Sequence, residues 1–337
     1  MRALVFKGQN EYGLEERNKP APREEELLIR VEYAGVCGTD WSIIKGDVAA
    51  GSGVTLGHEF SGVVEEVGDA VDGFNVGDCV IGSPVVSCGR CYFCRRGFRQ
   101  LCIRRRMFGA ELDGSFADFM VVPSPQSVLL VTPLQLNIGS LIGDTFATGY
   151  HAAEMGEVKE DETVAIFGAG PIGATTAINL ALRKPKRIFN VARSKFRLKA
   201  VEELGSTPIN AREENPVHRL KLETTIGVDV VYECAGSPAT FSMALQSVRR
   251  GGRIVFVSTM PRTTVPLDQI LTGEIRLIGA FCPAGPEVLK MLVDFVEQNK
   301  IQSKLEKLIT HYYPLSSGKE ALEKSMEEDR MKILIKP

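Results

Sequence analysis

Through the first 140 or so positions, apolar and polar residues alternate in short runs broken by glycine, as at 27–31, 62–67 and 76–81. A period of two with frequent turn residues predicts a compact, mostly β domain built from hairpins. Around 143–153 the pattern becomes helical. From 163 to 280, short apolar runs at 164–167, 187–191, 228–233, 253–258 and 276–279 alternate with helical stretches. That alternation predicts βαβ units and a parallel sheet, so the fold class is α/β. A helix is expected at 286–300, followed by a short strand ending at Ile335 that returns to the first domain.

Composition narrows the picture without deciding it. A chain of 337 residues suggests about two domains. Its 40 basic and 42 acidic side chains leave a net charge of −2, which argues against a general nucleic-acid or membrane-surface binder. The arginines at 95, 96, 99, 104, 105 and 106 read as a solvated face or a subunit contact. The N-terminal residues show no apolar signal segment, and no run of about 18 apolar residues offers a membrane span. A cytoplasmic protein with reduced cysteines is the expectation.

Cys88, Cys91, Cys94 and Cys102 lie within fifteen residues. This spacing lets four thiolates surround one zinc ion, and a four-thiolate site has no open position for chemistry. It is expected to brace its lobe. The lone Cys79, Cys234 and Cys282 read as small buried side chains.

The run 163–167 leads into Gly168-Ala-Gly170-Pro171-Ile172-Gly173 and then into helix-forming residues from Ala174. Strand, three glycines and helix in this order let the backbone approach a pyrophosphate and aim helix N–H groups at it. Pro171 costs little at a helix start. At the end of the next strand, where an NAD site usually carries a carboxylate for the ribose, the chain has Ala192, followed by Arg193, Ser194, Lys195 and Arg197. With no carboxylate to repel a 2′-phosphate and three cations to bind it, NADP is preferred, with NAD possible.

Cys37-Gly-Thr39-Asp40 and Gly57-His58-Glu59 complete the set of motifs. Together with the four-cysteine run and the glycine turn, in this order and over nearly the whole chain, they resemble the zinc-dependent medium-chain alcohol dehydrogenase family. The resemblance implies a GroES-like β-rich catalytic domain (1–145) bearing the zinc lobe at 88–102, a Rossmann doubly wound parallel-sheet domain (146–283), and a C-terminal segment (284–337) that rejoins the first. A cleft between the domains is implied as the place where zinc meets nicotinamide. Two zinc ions per subunit are implied, one structural and one catalytic.

Carried onto this chain, the resemblance makes Cys37 and His58 catalytic zinc ligands, with Glu59 an intermittent ligand or a neighbouring carboxylate. Where many members have a further cysteine, this chain offers Asp144, as some relatives do. Asp40 is expected to orient His58. Thr39 is expected to take the alcohol proton, and Ser42 stands where many members continue the relay with histidine. Trp41, Phe60, Phe108 and Phe281 are candidates to line the substrate site; His151, His218 and His311 receive no role. The implied reaction is hydride transfer between NAD(P) and a secondary alcohol, polyol or sugar, in a homodimer or homotetramer. Two other readings stay open: a zinc-free quinone or enone reductase of the same superfamily, and a non-catalytic dinucleotide-binding sensor on the same scaffold.

Overall fold

The computed structural model describes residues 1–123, 128–130 and 135–337. They divide into two units, one formed by Met1–Ala147 with Pro283–Pro337 and the other by Thr148–Cys282.

In the first unit, β1 (Arg2–Gly8) and β2 (Glu11–Glu16) form a hairpin. The main sheet takes β3 (Glu26–Gly35), β4 (Glu59–Val67) and β5 (Cys79–Gly82) from the N-terminal segment. β6 (Val85–Val86) and β7 (Arg106–Met107) pair with each other beside the four-cysteine lobe, while β8 (Phe119–Pro123) and β9 (Val128–Leu130) join β3 and β5. β5 starts later than the alternation at 76–81 predicts. Asn75 and Asp78 close a turn instead, with the Asn75 N–H donating to the Asp78 carboxylate at 2.7 Å, a local bond that outcompetes strand pairing.

The second unit is a six-stranded, all-parallel sheet: β10 (Thr163–Phe167), β11 (Arg187–Ala192), β12 (Thr207–Asn210), β13 (Val228–Glu233), β14 (Val248–Phe256) and β15 (Arg276–Gly279). The spatial order is β12-β11-β10-β13-β14-β15, so the order reverses between β10 and β13, the position where such sheets open a crevice at their carboxyl ends. β10 is buried along its whole length, which explains its unbroken apolar run. Three helix starts in this unit carry side-chain caps: Ser194 accepts from the N–H of Arg197, Asn215 from that of His218, and Ser237 from that of Thr240. A buried ion pair ties its parts together. Arg253 donates to both Glu162 oxygens at 2.8 and 2.6 Å and to the carbonyls of Gly156 and Glu157.

β16 (Ile309–Pro314) and β17 (Lys332–Lys336) return to the first sheet. Its order is β16-β17-β3-β4-β5-β9. β17 lies antiparallel to β3, with Leu334 opposite Gly35, and Gly35 in turn lies opposite Glu59 of β4. The core under this sheet includes Leu27, Ile29, Phe60, Val80, Phe108, Phe116 and Ile333. Phe60 and Phe108 are fully buried and meet edge to face at 5.7 Å. Both belong to the core cluster of this unit.

Candidate metal centres and nucleotide turn

Helix α1 (Gly38–Ile44) begins directly after Cys37. Asp40 sits in its first turn and its Oδ2 accepts from the Cys37 N–H at 2.9 Å. The same carboxylate presents Oδ1 to His58 Nδ1 at 3.1 Å. One buried aspartate therefore fixes both the backbone at Cys37 and the ring of His58, whose Nε2 is left to face the opposite way, 3.5 Å from Asp144 Oδ2.

Asp144 comes from α2 (Leu136–Leu141) and the π-helical turn Ile142–Phe146 that extends it. Successive residues of an α-helix diverge by about 100°, and a widened turn of this kind reduces that divergence and is common at functional sites. Here it lets two consecutive side chains face one site. Asp144 Oδ2 lies 3.8 Å from Cys37 Sγ, while Thr145 Oγ1 donates to Glu59 Oε1 at 2.9 Å. Gly143 makes the approach feasible, because a Cβ there would stand 1.8 Å from the Gly82 carbonyl oxygen.

Four donor atoms from Cys37, His58, Glu59 and Asp144 thus lie within 4.8 Å of one another. The surrounding field favours a cation. Burial alone would push the His58 imidazole down, yet the negative charges of Asp40 and Cys37 raise it well above its usual range. Sulfur, imidazole and carboxylate at these separations form a donor set of the kind that zinc accepts. Glu59 is buried, and burial pushes its carboxyl up to about 7 despite Lys332 beside it.

Cys88, Cys91, Cys94 and Cys102 also bring their sulfurs within 4.8 Å of one another. A tetrahedron with metal–sulfur bonds of about 2.3 Å needs sulfur separations near 3.8 Å, so the lobe fits zinc. Backbone N–H groups of Cys88 and Arg104 point at Cys102 Sγ, each at 3.3 Å. Hydrogen bonds from the backbone of Cys94 and Ile103 draw the Cys91 thiol down to about 6, favouring the thiolate that a metal requires. None of the eight cysteines is in a disulfide. Cys282 is buried, whereas Cys79 and Cys234 are only half-buried, so the expectation of burial holds for one of the three.

In the second unit the glycine turn joins β10 to the helix Pro171–Ala181. Gly168 has φ +114°, and a Cβ on Gly170 would meet nothing within 4 Å. Gly170 is the N-cap and supplies no capping side chain, so the first N–H groups of the helix await an acceptor. Beyond β11, Arg193 is exposed. Lys195 pairs with Glu213 at 2.7 Å, and Ser194 already accepts the Arg197 N–H as helix cap.

Thr39 and Ser42 occupy one face of α1, three residues apart; Thr39 Oγ1 lies 3.8 Å from Cys37 Sγ, and Ser42 Oγ donates to the Gly38 carbonyl at 3.5 Å. Trp41 Nε1 donates to the Leu322 carbonyl and to Ser325 Oγ at 3.1 and 2.8 Å, anchoring that helix to the C-terminal segment. Phe281 is exposed. Sequence reasoning missed Lys332 and Thr145, both of which touch Glu59. The available signal was a lysine set into an apolar strand, Met331-Lys-Ile-Leu-Ile335.

A GroES-like sheet unit with two metal-ready clusters, joined in one chain to a parallel-sheet unit with a dinucleotide turn, defines a metal-bearing dehydrogenase scaffold. Known families agree: residues 23–133 match the alcohol dehydrogenase GroES-like domain and residues 171–298 the zinc-binding dehydrogenase domain. Sorbitol dehydrogenase of Bacillus subtilis (strain 168) is 31% identical over 350 residues, covering 100% of this chain and 97% of that protein. A zinc-binding dehydrogenase of Sinorhizobium meliloti 1021 bound to NADP superposes with a TM-score of 0.90 at 27% identity, over 100% of this chain and 99% of the other. The rspB protein of Escherichia coli CFT073 complexed with NADH gives the same score, identity and coverage. The chain belongs to the zinc-dependent medium-chain alcohol dehydrogenase family, and it is an oxidoreductase of that class.

Proposed function

We propose that this chain interconverts a polyol, sugar or other secondary alcohol and the corresponding carbonyl compound, with NADP preferred over NAD. The observation that carries this reading is the convergence of Cys37, His58, Glu59 and Asp144 on one point. The named relatives add a sorbitol dehydrogenase. A zinc ion held by Cys37, His58 and Asp144 would supply Lewis acidity to an alcohol oxygen, and NAD(P) on the glycine turn a hydride acceptor.

The chain's own side chains do the rest. Asp40 keeps a proton on Nδ1 of His58 and so leaves Nε2 as the ligand nitrogen. Thr39 Oγ1 receives the alcohol proton and passes it toward Ser42 Oγ one turn along the same helix face. Serine relays a proton without storing it, so solvent completes the exit. Arg193 contacts the 2′-phosphate, with Lys195 and Arg197 adding positive charge and the Ser194 hydroxyl adding a donor.

The four-cysteine lobe holds a second, structural zinc. The chain forms a homodimer or homotetramer through the second unit. In support, β15 is an edge strand, and Leu267 and Leu271 on the adjoining helix are 72% and 77% exposed. Among the described residues no helix is long and apolar enough to cross a membrane. Free thiols fit a reducing, cytoplasmic setting.

The test is a panel of polyols, aldoses, secondary alcohols and threonine with NADP and NAD, on protein of measured zinc content. Turnover of a polyol or secondary alcohol by protein holding two zinc ions, with a lower KM for NADP, is the expected result. Activity surviving complete zinc removal would overturn the catalytic-zinc reading, and a lower KM for NAD would overturn the cofactor preference.

A further inference from the structure

Lys332 is 1% exposed, and a lysine is almost never buried so completely unless its charge is committed. Here all three ammonium hydrogens are used: Nζ donates to the Val36 carbonyl at 3.0 Å, to Thr145 Oγ1 at 2.8 Å and to Glu59 Oε1 at 2.5 Å. Thr145 Oγ1 donates its own hydrogen bond to the same carboxylate oxygen. Glu59 Oε1 therefore accepts two donors, whereas Oε2 is buried and has no hydrogen-bond partner among the described residues.

The sheet makes this geometry available. β17, β3 and β4 lie side by side, so Lys332 must reach Glu59 across the middle strand. The residue it crosses is Gly35, where a Cβ would stand 3.0 Å from Lys332 Cε and 2.2 Å from Glu59 Oε2. Any side chain at 35 would block the contact. Charge points the same way. A thiolate at Cys37 with the carboxylates of Asp40, Asp144 and Glu59 would carry more negative charge than a divalent ion cancels. Lys332 supplies the missing positive charge inside a medium where an uncompensated charge is costly.

We propose that Lys332 is a positioning residue that holds Glu59 off the metal, so that Cys37, His58 and Asp144 remain the protein ligands and one coordination position stays open for the substrate oxygen. This rests on the zinc reading of the cluster given above. Glu59 is close enough to act as a fourth ligand, and Lys332 with Thr145 is what retains it.

The experiment uses protein carrying zinc in the four-cysteine lobe and cobalt(II) in the other site. Visible spectra and the rate of metal release to a chelator are recorded for wild type, K332M, K332R, E59Q and K332M/E59Q. In K332M, Glu59 joins the metal: the cobalt spectrum changes, release slows by about tenfold, on the scale of effects from residues bonded to ligands, and kcat falls. K332R keeps the wild-type spectrum, and the double variant returns to it. E59Q alone also keeps it, which tests the proposal even if K332M does not fold. A wild-type spectrum and release rate in folded K332M, or an altered spectrum in E59Q, would overturn the proposal. Absence of any cobalt band from this site in wild type would instead remove the zinc reading on which it stands.

Discussion

Asp144 Oδ2 stands 3.8 Å from Cys37 Sγ although the two residues are 107 positions apart. One lies before a helix at a strand end and the other in a π-helical turn, and neither element alone would place it there.

Replacing Asp144 with asparagine removes an anionic donor while keeping the side chain's size. Zinc content is expected to fall from about two to about one ion per chain, with catalytic turnover lost and the four-cysteine lobe still loaded. Metal analysis after gel filtration checks this, and D144C, which restores an anionic ligand, is expected to retain both ions.

Asp40 acts at one remove. D40N weakens the hold on His58 and on the Cys37 backbone together, and metal affinity at that site is expected to drop by about 10- to 100-fold. Competition against a chromophoric chelator measures it; affinity equal to wild type would show that His58 is oriented by other means.

The lobe at 88–102 should behave differently. C94S is expected to lower the melting temperature by roughly 5 °C or more through loss of a closed metal site. Turnover per folded molecule is expected to stay within about twofold of wild type, since four thiolates leave no position for substrate. Scanning calorimetry with active-site titration separates the two effects.

The pair Arg253–Glu162 gives a pH dependence. Burial opposes the charged carboxylate, but the hydrogen bonds from Arg253 outweigh it and hold Glu162 below its ordinary value. A folded-state value below the unfolded one contributes stability that is complete above about pH 5 and is lost as pH falls through the folded value. E162Q leaves Arg253 buried without its counter-charge and is expected to cost roughly 3 kcal/mol near neutral pH. The variant then loses less than wild type does between about pH 5 and 3. Urea midpoints at both ends of that window test the sign.

Much of this arrangement was readable because it is local. The glycine turn and the four-cysteine lobe each lie within one short stretch of chain, and spacing alone reveals what they can hold. The strands β10, β11 and β13 showed themselves as apolar runs because both faces are buried over most of their length, whereas β15 is a largely exposed edge strand. β12 did not, since its four residues include Pro208 and are only partly covered. β14 begins at Val248, five residues before the apolar run at 253, because Val248 pairs with Val228 and the register then shifts across Arg249-Arg-Gly-Gly252 before pairing resumes at Arg253. The meeting of Cys37, His58 and Asp144 was visible only through resemblance, as no periodicity links positions so far apart. Lys332 was invisible for a physical reason: charge marks a residue as surface, and only the sheet order and the bare backbone at Gly35 show where its ammonium goes.

The 273 positions between Glu59 and Lys332 also set an order of events during synthesis. The four cysteines at 88–102 are complete as soon as their lobe leaves the ribosome, and they can load an ion while the parallel-sheet unit is still being made. The other cluster has all its donors by residue 144 but an unbalanced charge until β17 has been translated and inserted beside β3. On the proposed role of Lys332, β17 thus brings a compensating charge to a cluster whose donors were all made long before it.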